Sequence, residues 1–292
     1  VSNINAYLIE APNVFIASRN TPIENSKKMI APNKPCDYNN LKIEENEYDE
    51  FVKKCPNSKK WIKRMVGAQE FINNKIRYCL WLVNCSPEEL KAMPQVLDRV
   101  KKCKEDRLKA NTTESLKLAE TPTLFREQIN PDSYLLIPCV SSERRKYVPI
   151  GFLDKNTIPV MGTLIIPNAD LYDFGILTSN VHMAWMRVVA GRLKSDYRYS
   201  KDIVYNNFPW CNPTEEQKKK IEKTAQAILD ARALYPNSSL ADLYDELTMP
   251  KELRKAHQEN DKAVMEAYGF DWKKMTESDC VAELFKMYQE LG

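Results

Sequence analysis

The chain has 292 residues, 43 Lys and Arg against 40 Asp and Glu, and 43% hydrophobic content, which is enough for about two domains with a sizeable core and excludes a disordered or fibrous protein. No apolar run reaches the roughly 18 residues that a bilayer span needs, and the N-terminus lacks the basic, apolar and small-residue order of a secretion signal. Eight cysteines without a Cys-x-x-Cys pair and only two histidines point away from a zinc site and toward free thiols in a reducing, cytoplasmic setting.

Up to about residue 85, short elements alternate with long polar connections. Residues 13–17 (Asn-Val-Phe-Ile-Ala) and 77–83 (Arg-Tyr-Cys-Leu-Trp-Leu-Val) are predicted strands, being short, β-branched and aromatic. Residues 20–45 read as a loop. Ser86 followed by Pro87 opens a helical arm that continues intermittently to about Leu118, with serine as N-cap and proline in the first turn. Arg99, Lys101, Lys102, Lys104, Arg107 and Lys109 on this arm form either a solvated face or a phosphate-contacting one.

Residues 134–138, 147–152 and 163–167 are predicted strands, each ending near proline, as edge strands and strand ends do. Thr178 or Ser179 caps a helix that carries Val181, Trp185, Val188 and Val189 on one side, and Gly191 ends it. The next segment is Arg192-Leu193-Lys194-Ser195-Asp196-Tyr197-Arg198-Tyr199-Ser200. If it is extended, Lys194, Asp196 and Arg198 share one face while Ser195, Tyr197 and Tyr199 share the other. Residues 187–201 carry Arg187, Arg192, Lys194, Arg198 and Lys201 against Asp196 alone, a net of +4 in fifteen residues and a local field that attracts phosphate.

From Asn212 the pattern becomes helical. Thr214 and Gln217 form a capping box for a helix to about Leu234, followed by helices over 239–247, 250–268 and 277–291. Residues 213–292 hold 12 Lys and Arg against 16 Asp and Glu, so a basic body precedes an acidic tail. The predicted fold class is α+β: a mixed β recognition domain with inserted helices over residues 1–210, followed by a small all-α domain over residues 211–292.

The seven glycines make no phosphate loop or dinucleotide fingerprint, and no Gly-x-Ser-x-Gly occurs. His182, in an apolar helix, reads as a satisfied core residue, and His257, on the acidic helical tail, as a surface one. No catalytic or metal-ligating residue is therefore assigned. What remains suits nucleic acid. A lysine such as Lys194 donates to guanine O6 and N7, an aspartate such as Asp196 accepts from the cytosine N4 amine, and an arginine such as Arg198 forks onto guanine. The competing reading pairs Lys194 with Asp196 on the surface, to little effect. Ser141, Ser142, Glu143, Arg144, Arg145 and Lys146 form a polar turn suited to phosphate positioning, or an ordinary charged hairpin. Trp185, Phe208 and Trp210 read as core rather than as a stacking platform.

Several motifs in one order carry a resemblance. They are Arg77-Tyr78-Cys79-Leu80-Trp81-Leu82, Ala119 to Phe125, Val140 to Arg145 through Pro149 to Leu153, Phe174 to Ser179 with His182-Met183-Ala184-Trp185, Val204 to Trp210, Leu240 to Asp245, and Leu247 to Pro250. Over nearly its whole length the chain resembles the C-terminal part of the MmeI-type (type IIL) restriction-modification DNA methyltransferases. Those enzymes join a nuclease, an adenine methyltransferase and a target recognition domain in one polypeptide. The resemblance implies a non-catalytic part that binds double-stranded DNA. S-adenosylmethionine and the Asn-Pro-Pro-Tyr type motif that holds a flipped adenine belong to a methyltransferase domain of the same polypeptide, and Asn212-Pro213-Thr214 is not that motif. It carries the family's base-reading role onto Lys194, Asp196 and Arg198, with Arg192, Tyr197, Tyr199, Ser141, Ser142, Arg144, Arg145 and Lys146 as further DNA contacts. It also puts further readers on the strand and loop before Thr163, roughly Val160 to Gly162, without assigning them residue by residue, and counts Met161 and Gly162 among the other DNA contacts. The family usually continues Phe-Pro-Trp with proline where this chain has Cys211. The alternative function is a protein-interaction module that docks onto the methyltransferase and nuclease parts, with little DNA specificity of its own.

Overall fold

A computed structural model describes residues 3–10, 13–24 and 26–291. In chain order the first elements are β1 (Lys42–Glu44), α1 (Glu45–Lys54), a 3-10 turn (Pro56–Trp61), β2 (Ile62–Val66), α2 (Ala68–Ile72), β3 (Arg77–Leu80), α3 (Pro87–Lys91), α4 (Pro94–Lys109) and α5 (Thr113–Leu118). The strand-rich middle holds β4 (Ser133–Pro138), β5 (Val140–Ser141), β6 (Gly151–Asp154), β7 (Thr157–Pro159) and β8 (Thr163–Pro167). Then come α6 (Leu171–Leu177), α7 (Asn180–Val189), β9 (Gly191–Leu193), β10 (Asp196–Arg198) and a π-helical turn (Lys201–Tyr205). The chain continues through α8 (Glu215–Ala233), α9 (Leu240–Leu243), α10 (Lys251–Ala267) and α11 (Glu277–Leu291). Helices and mixed sheets make this an α+β protein that ends in a helical region.

The elements form two compact units: Val1–Ile30, Ser133–Phe152 and Leu164–Gly292 make the first, and Ala31–Asp132 with Leu153–Thr163 make the second. In the second unit a four-stranded sheet runs β1-β3-β2-β7, antiparallel except for the parallel β2–β7 pair. Leu41, Ile43, Cys79, Val96 and Ile158 are buried beneath it. The basic arm departs from expectation. Lys101, Lys102, Lys104 and Lys109 are exposed on α4, but Arg107 is 0% exposed. Its guanidinium donates to the carbonyls of Pro35, Cys36, Leu118, Thr121 and Leu124. It is neither a solvated nor a phosphate-binding residue: it supplies the donor for the Pro35, Cys36 and Leu124 carbonyls and a second donor for those of Leu118 and Thr121, which also accept the Thr121 and Leu124 amides.

The first unit holds the three-stranded sheet β5-β10-β9 and most of the three-stranded sheet β6-β4-β8, of which Leu153, Asp154 and Thr163 are counted in the second. The helices pack closely enough that a side chain on Gly175 of α6 would meet Ile221 of α8, with a Cβ 2.6 Å from its Cγ2. Asn260 of α10 closes that crossing by donating to the Gly175 carbonyl at 2.8 Å. Thr214 and Gln217 form the capping box of α8, and Ser179 caps α7. Trp185, Phe208 and Trp210 lie in the core.

Four expectations change here. Residues 13–17 form no strand, because their polar groups bond side chains instead: Ile16 N–H donates to Tyr7 Oη, and Ala17 O accepts from Asn207. The helix expected over 239–247 stops at Leu243, since Asp245 accepts the Leu247 amide in a turn. Residues 147–150 also form no ladder. Pro149 has no N–H to give, and the surrounding backbone bonds side chains from helices, Val148 N–H to Met183 Sδ and Ile150 O to Arg232. His257 is 0% exposed rather than on the surface. Its Nε2 is 2.7 Å from Tyr244 Oη, and its ring stacks on Tyr147 with centroids 4.1 Å apart.

Candidate nucleic-acid interface

Helix α7 sets the site because its C-terminal end runs straight into β9. Ala190 leaves the helix in an extended conformation (φ −67°, ψ 144°), so the helix has ended by Gly191, as expected, and Gly191 starts a strand. Asp196 pairs with Leu193, Tyr197 with Arg192 and Arg198 with Gly191 in antiparallel register. The other edge of β10 pairs Tyr197 with Ser141 and Arg198 with Val140 of β5. The expected single extended segment is thus a hairpin whose second strand lies between two neighbours. Along β10 the expected alternation appears: Tyr197 and Tyr199 are 9% and 5% exposed, while Arg198 points to solvent and Asp196 is half-buried. Lys194 is lifted off that face into the turn, at φ 56°.

A left-handed lysine is strained, since its Cβ crowds the carbonyl that glycine would leave clear. Replacing Lys194 by glycine is expected to stabilise the fold by about 0.5–1 kcal/mol, read as a higher midpoint in chemical denaturation. A lower midpoint would mean that the ammonium supports the turn.

Below the hairpin the inward side chains are held. Arg192 lies over the Tyr197 ring, its guanidinium carbon 3.8 Å from the centroid, and donates to Ser195 O at 2.8 Å. Its head is also 3.9 Å from Glu143. Tyr199 Oη is 2.9 Å from His182 Nε2, and the Phe208 ring meets the imidazole edge to face at 4.5 Å. Burial pushes His182 down to about 3, so its imidazole is neutral near pH 7 and the tyrosine gains an uncharged partner. Tyr199 is therefore a buried support, with its hydroxyl committed inward.

The polar turn after β5 sits beside the hairpin. Ser141 is buried on the paired strand. Ser142 closes the turn, its Oγ and carbonyl accepting the Arg144 and Arg145 amides. Arg144 and Lys146 are exposed and Arg145 is half-buried. Burial lowers the Arg145 value, opposed by the negative charges of Asp196 and Asp245, so this arginine lies in the field of the hairpin's carboxylate. Sequence patterning missed that relation, which depends on the pairing of β5 with β10.

Met161 and Gly162 belong to the second unit. There a tight turn, with Gly162 at φ 92° and Thr163 Oγ1 donating to Val160 O at 2.8 Å, leaves Met161 57% exposed. The structure thus brings together the hairpin and the Ser141–Lys146 turn, all within the first unit. The cysteines of the described residues are free thiols. No group of three or more metal-ligating side chains occurs among the described residues, and none of their helices is long and apolar enough to cross a membrane.

The missed residues carried one readable signal. Leu253, His257, Asn260 and Val264 fall at helical spacing on the buried side of α10, so polar residues at core positions marked buried contacts.

Comparison with known proteins gives one consistent answer. Residues 10–212 match the family model described as MmeI, target recognition domain, and residues 213–292 the one described as MmeI, C-terminal domain. The curated protein DNA methyltransferase A of Bacillus subtilis (strain 168) is 39% identical over 294 aligned residues, spanning 100% of this chain and 33% of that protein. A solved structure of the type IIL restriction-modification enzyme MmeI in complex with DNA superposes with a TM-score of 0.94 at 48% identity. That match covers 99% of this chain and 39% of the solved one, so this chain spans well under half the length of either relative.

Proposed function

The chain belongs to the MmeI family, spanning its target recognition and C-terminal domains, and from that premise we propose that it reads a specific sequence in double-stranded DNA for a methyltransferase. The observation that carries this reading is the β9–β10 hairpin. It presents Lys194, half-buried Asp196 and Arg198 on a backbone held from below by Tyr197, Tyr199 and His182. In the proposed complex Lys194 donates to guanine, Asp196 accepts from the cytosine amine, and Arg198 forks onto a guanine. Arg144 and Lys146 meet phosphates and set register without reading sequence. Arg145 holds the Asp196 side of the turn, and Arg192, Ser141 and Ser142 shape the hairpin and its neighbour. Met161 and Gly162 are proposed as further contacts from the second unit.

Methylation of adenine N6 with S-adenosylmethionine is proposed for a methyltransferase domain of the same polypeptide. The residues here do not fit that cofactor or a flipped adenine. Thr214 of Asn212-Pro213-Thr214 is the N-cap of α8, and that tripeptide has no aromatic ring to stack on a base. No step of the chemistry is routed through this chain.

The test is selection from a randomised duplex library by the 292-residue chain at moderate salt. A short motif with a fixed G·C pair is expected. Asp196→Ala is expected to lose about 1–3 kcal/mol of discrimination at one base pair, with nonspecific affinity unchanged or raised because one repelling charge is gone. Affinity should also fall steeply with salt. Enrichment of the same motif by Asp196→Ala defeats the assignment of Asp196, and binding without enrichment favours a docking role.

A further inference from the structure

We propose that Asp261, on α10, is a positioning residue for base reading: its one carboxylate fastens the polar turn after β5 and the helix that feeds the hairpin into a single register. This rests on the DNA-reading proposal above. Asp261 Oδ2 accepts the Tyr147 hydroxyl at 2.6 Å, and Oδ1 accepts the Asn180 amide at 2.7 Å. Tyr147 directly follows the Ser142–Lys146 turn. Asn180 is the first residue of α7, whose last residue is two before β9. A carboxylate is well suited to that helix N-terminus, where the amide is unpaired within the helix and the peptide dipoles favour negative charge.

Near the other end of α7 a second tie repeats the connection. Arg187 donates to Lys146 O and pairs with Glu277 of α11 at 2.9 Å. Adjacent residues of one segment, Lys146 and Tyr147, are therefore tied to α7 about two helical turns apart, each tie including a side chain from the C-terminal helices. Such a two-point attachment fixes both the tilt and the advance of the helix relative to the turn. On this view the C-terminal helices help set the reading geometry.

The carboxylate is kept at a cost. Burial pushes Asp261 up to about 6, with the Tyr147 and Asn180 hydrogen bonds opposing the rise. The folded-state value lies above the ordinary 3.8, so this group contributes most to stability below the ordinary value and loses that contribution as pH rises through the folded one. Near neutral pH, Asp261→Asn is accordingly expected to leave the melting temperature unreduced, although the amide has one acceptor oxygen where the carboxylate has two, so that one of the two hydrogen bonds is lost or reversed.

The experiment compares the wild-type chain with Asp261→Asn, Tyr147→Phe and the double variant, by amide hydrogen exchange without DNA and by binding to duplexes. The duplexes are the selected motif and its single-base mismatches. Either substitution is expected to speed exchange over residues 191–198 and to cut the match-to-mismatch affinity ratio about tenfold. The double variant should fall no further, and affinity for unrelated duplex should hold. Wild-type exchange at the hairpin together with a wild-type ratio in folded variants overturns the proposal. So does an equal loss of matched and unrelated binding, which marks a purely structural residue. Faster hairpin exchange in variants of a chain that shows no sequence preference upholds the positioning and defeats the DNA-reading proposal instead.

Discussion

Arg107→Ala is expected to cost roughly 3–5 kcal/mol of stability, the range for stripping a buried charged group from its partners. All five guanidinium N–H donors are committed to carbonyls, at 2.8 to 3.3 Å. They gather the chain at Pro35–Cys36, at the end of α5 and at Thr121–Leu124, none of which is held by a sheet. Removing the side chain strips the Pro35, Cys36 and Leu124 carbonyls of their donor, takes one of two from Leu118 and Thr121, and leaves a cavity at a fully buried position. Arg107→Lys should restore less than half of the loss, because one ammonium has three donors on one atom and cannot span the carbonyls. Urea denaturation reads the loss, and limited proteolysis over residues 111–132 should show the earliest cuts. A loss under about 1 kcal/mol in Arg107→Ala would mean that water satisfies these carbonyls and that the arginine is replaceable.

Trp185→Ala is expected to cost a similar 3–5 kcal/mol, the usual figure for emptying a buried tryptophan site. The indole is 0% exposed, its N–H donates to Val204 O at 2.9 Å, and the Phe285 ring meets it at 5.6 Å. Val204 lies in the π-helical turn just after the hairpin, so the residue joins α7, α11 and the exit of the reading segment. Trp185→Phe keeps most of the volume but strands the carbonyl, and its loss should be intermediate. Calorimetry reads both. Asp196→Ala gives the contrast, with an unchanged melting temperature and altered readout. Equal destabilisation by Asp196→Ala and Trp185→Ala would mean that the outward carboxylate is part of the fold.

The long helices were legible because their signals are local. Thr214 and Gln217 announced α8, and the apolar spacing of α11 runs over the predicted residues. On β10 the tyrosines and their outward neighbours alternate as residue type implies. The hairpin turn was not legible, because Lys194-Ser195 contains none of the Asn-Gly or Gly pairs that mark two-residue turns. What closes the turn is the β9–β10 pairing itself, with Lys194 in the left-handed region and Arg192 donating to Ser195 O. His257 and Arg107 failed for a related reason. A polar residue is placed outside by default, and the partners that admit these two to the interior, Tyr244 and a set of carbonyls, lie on other segments. The expected strand at 147–150 failed because its polar groups bond side chains from α7, α8 and α10.

The division of the chain into units has a consequence for biosynthesis. Every residue of the second unit has been made once Thr163 is added. The first unit is different: Ile30 waits for Ile165, Ile23 for Asn206, and Asn13 for Gln289. During vectorial synthesis its opening segment therefore gains its partners in stages, at Ile165, then Asn206, then Gln289, and such long loop closures are slow. All residues of the second unit are thus made before those of the hairpin at 191–198, and the first unit is completed only once α11 has been added.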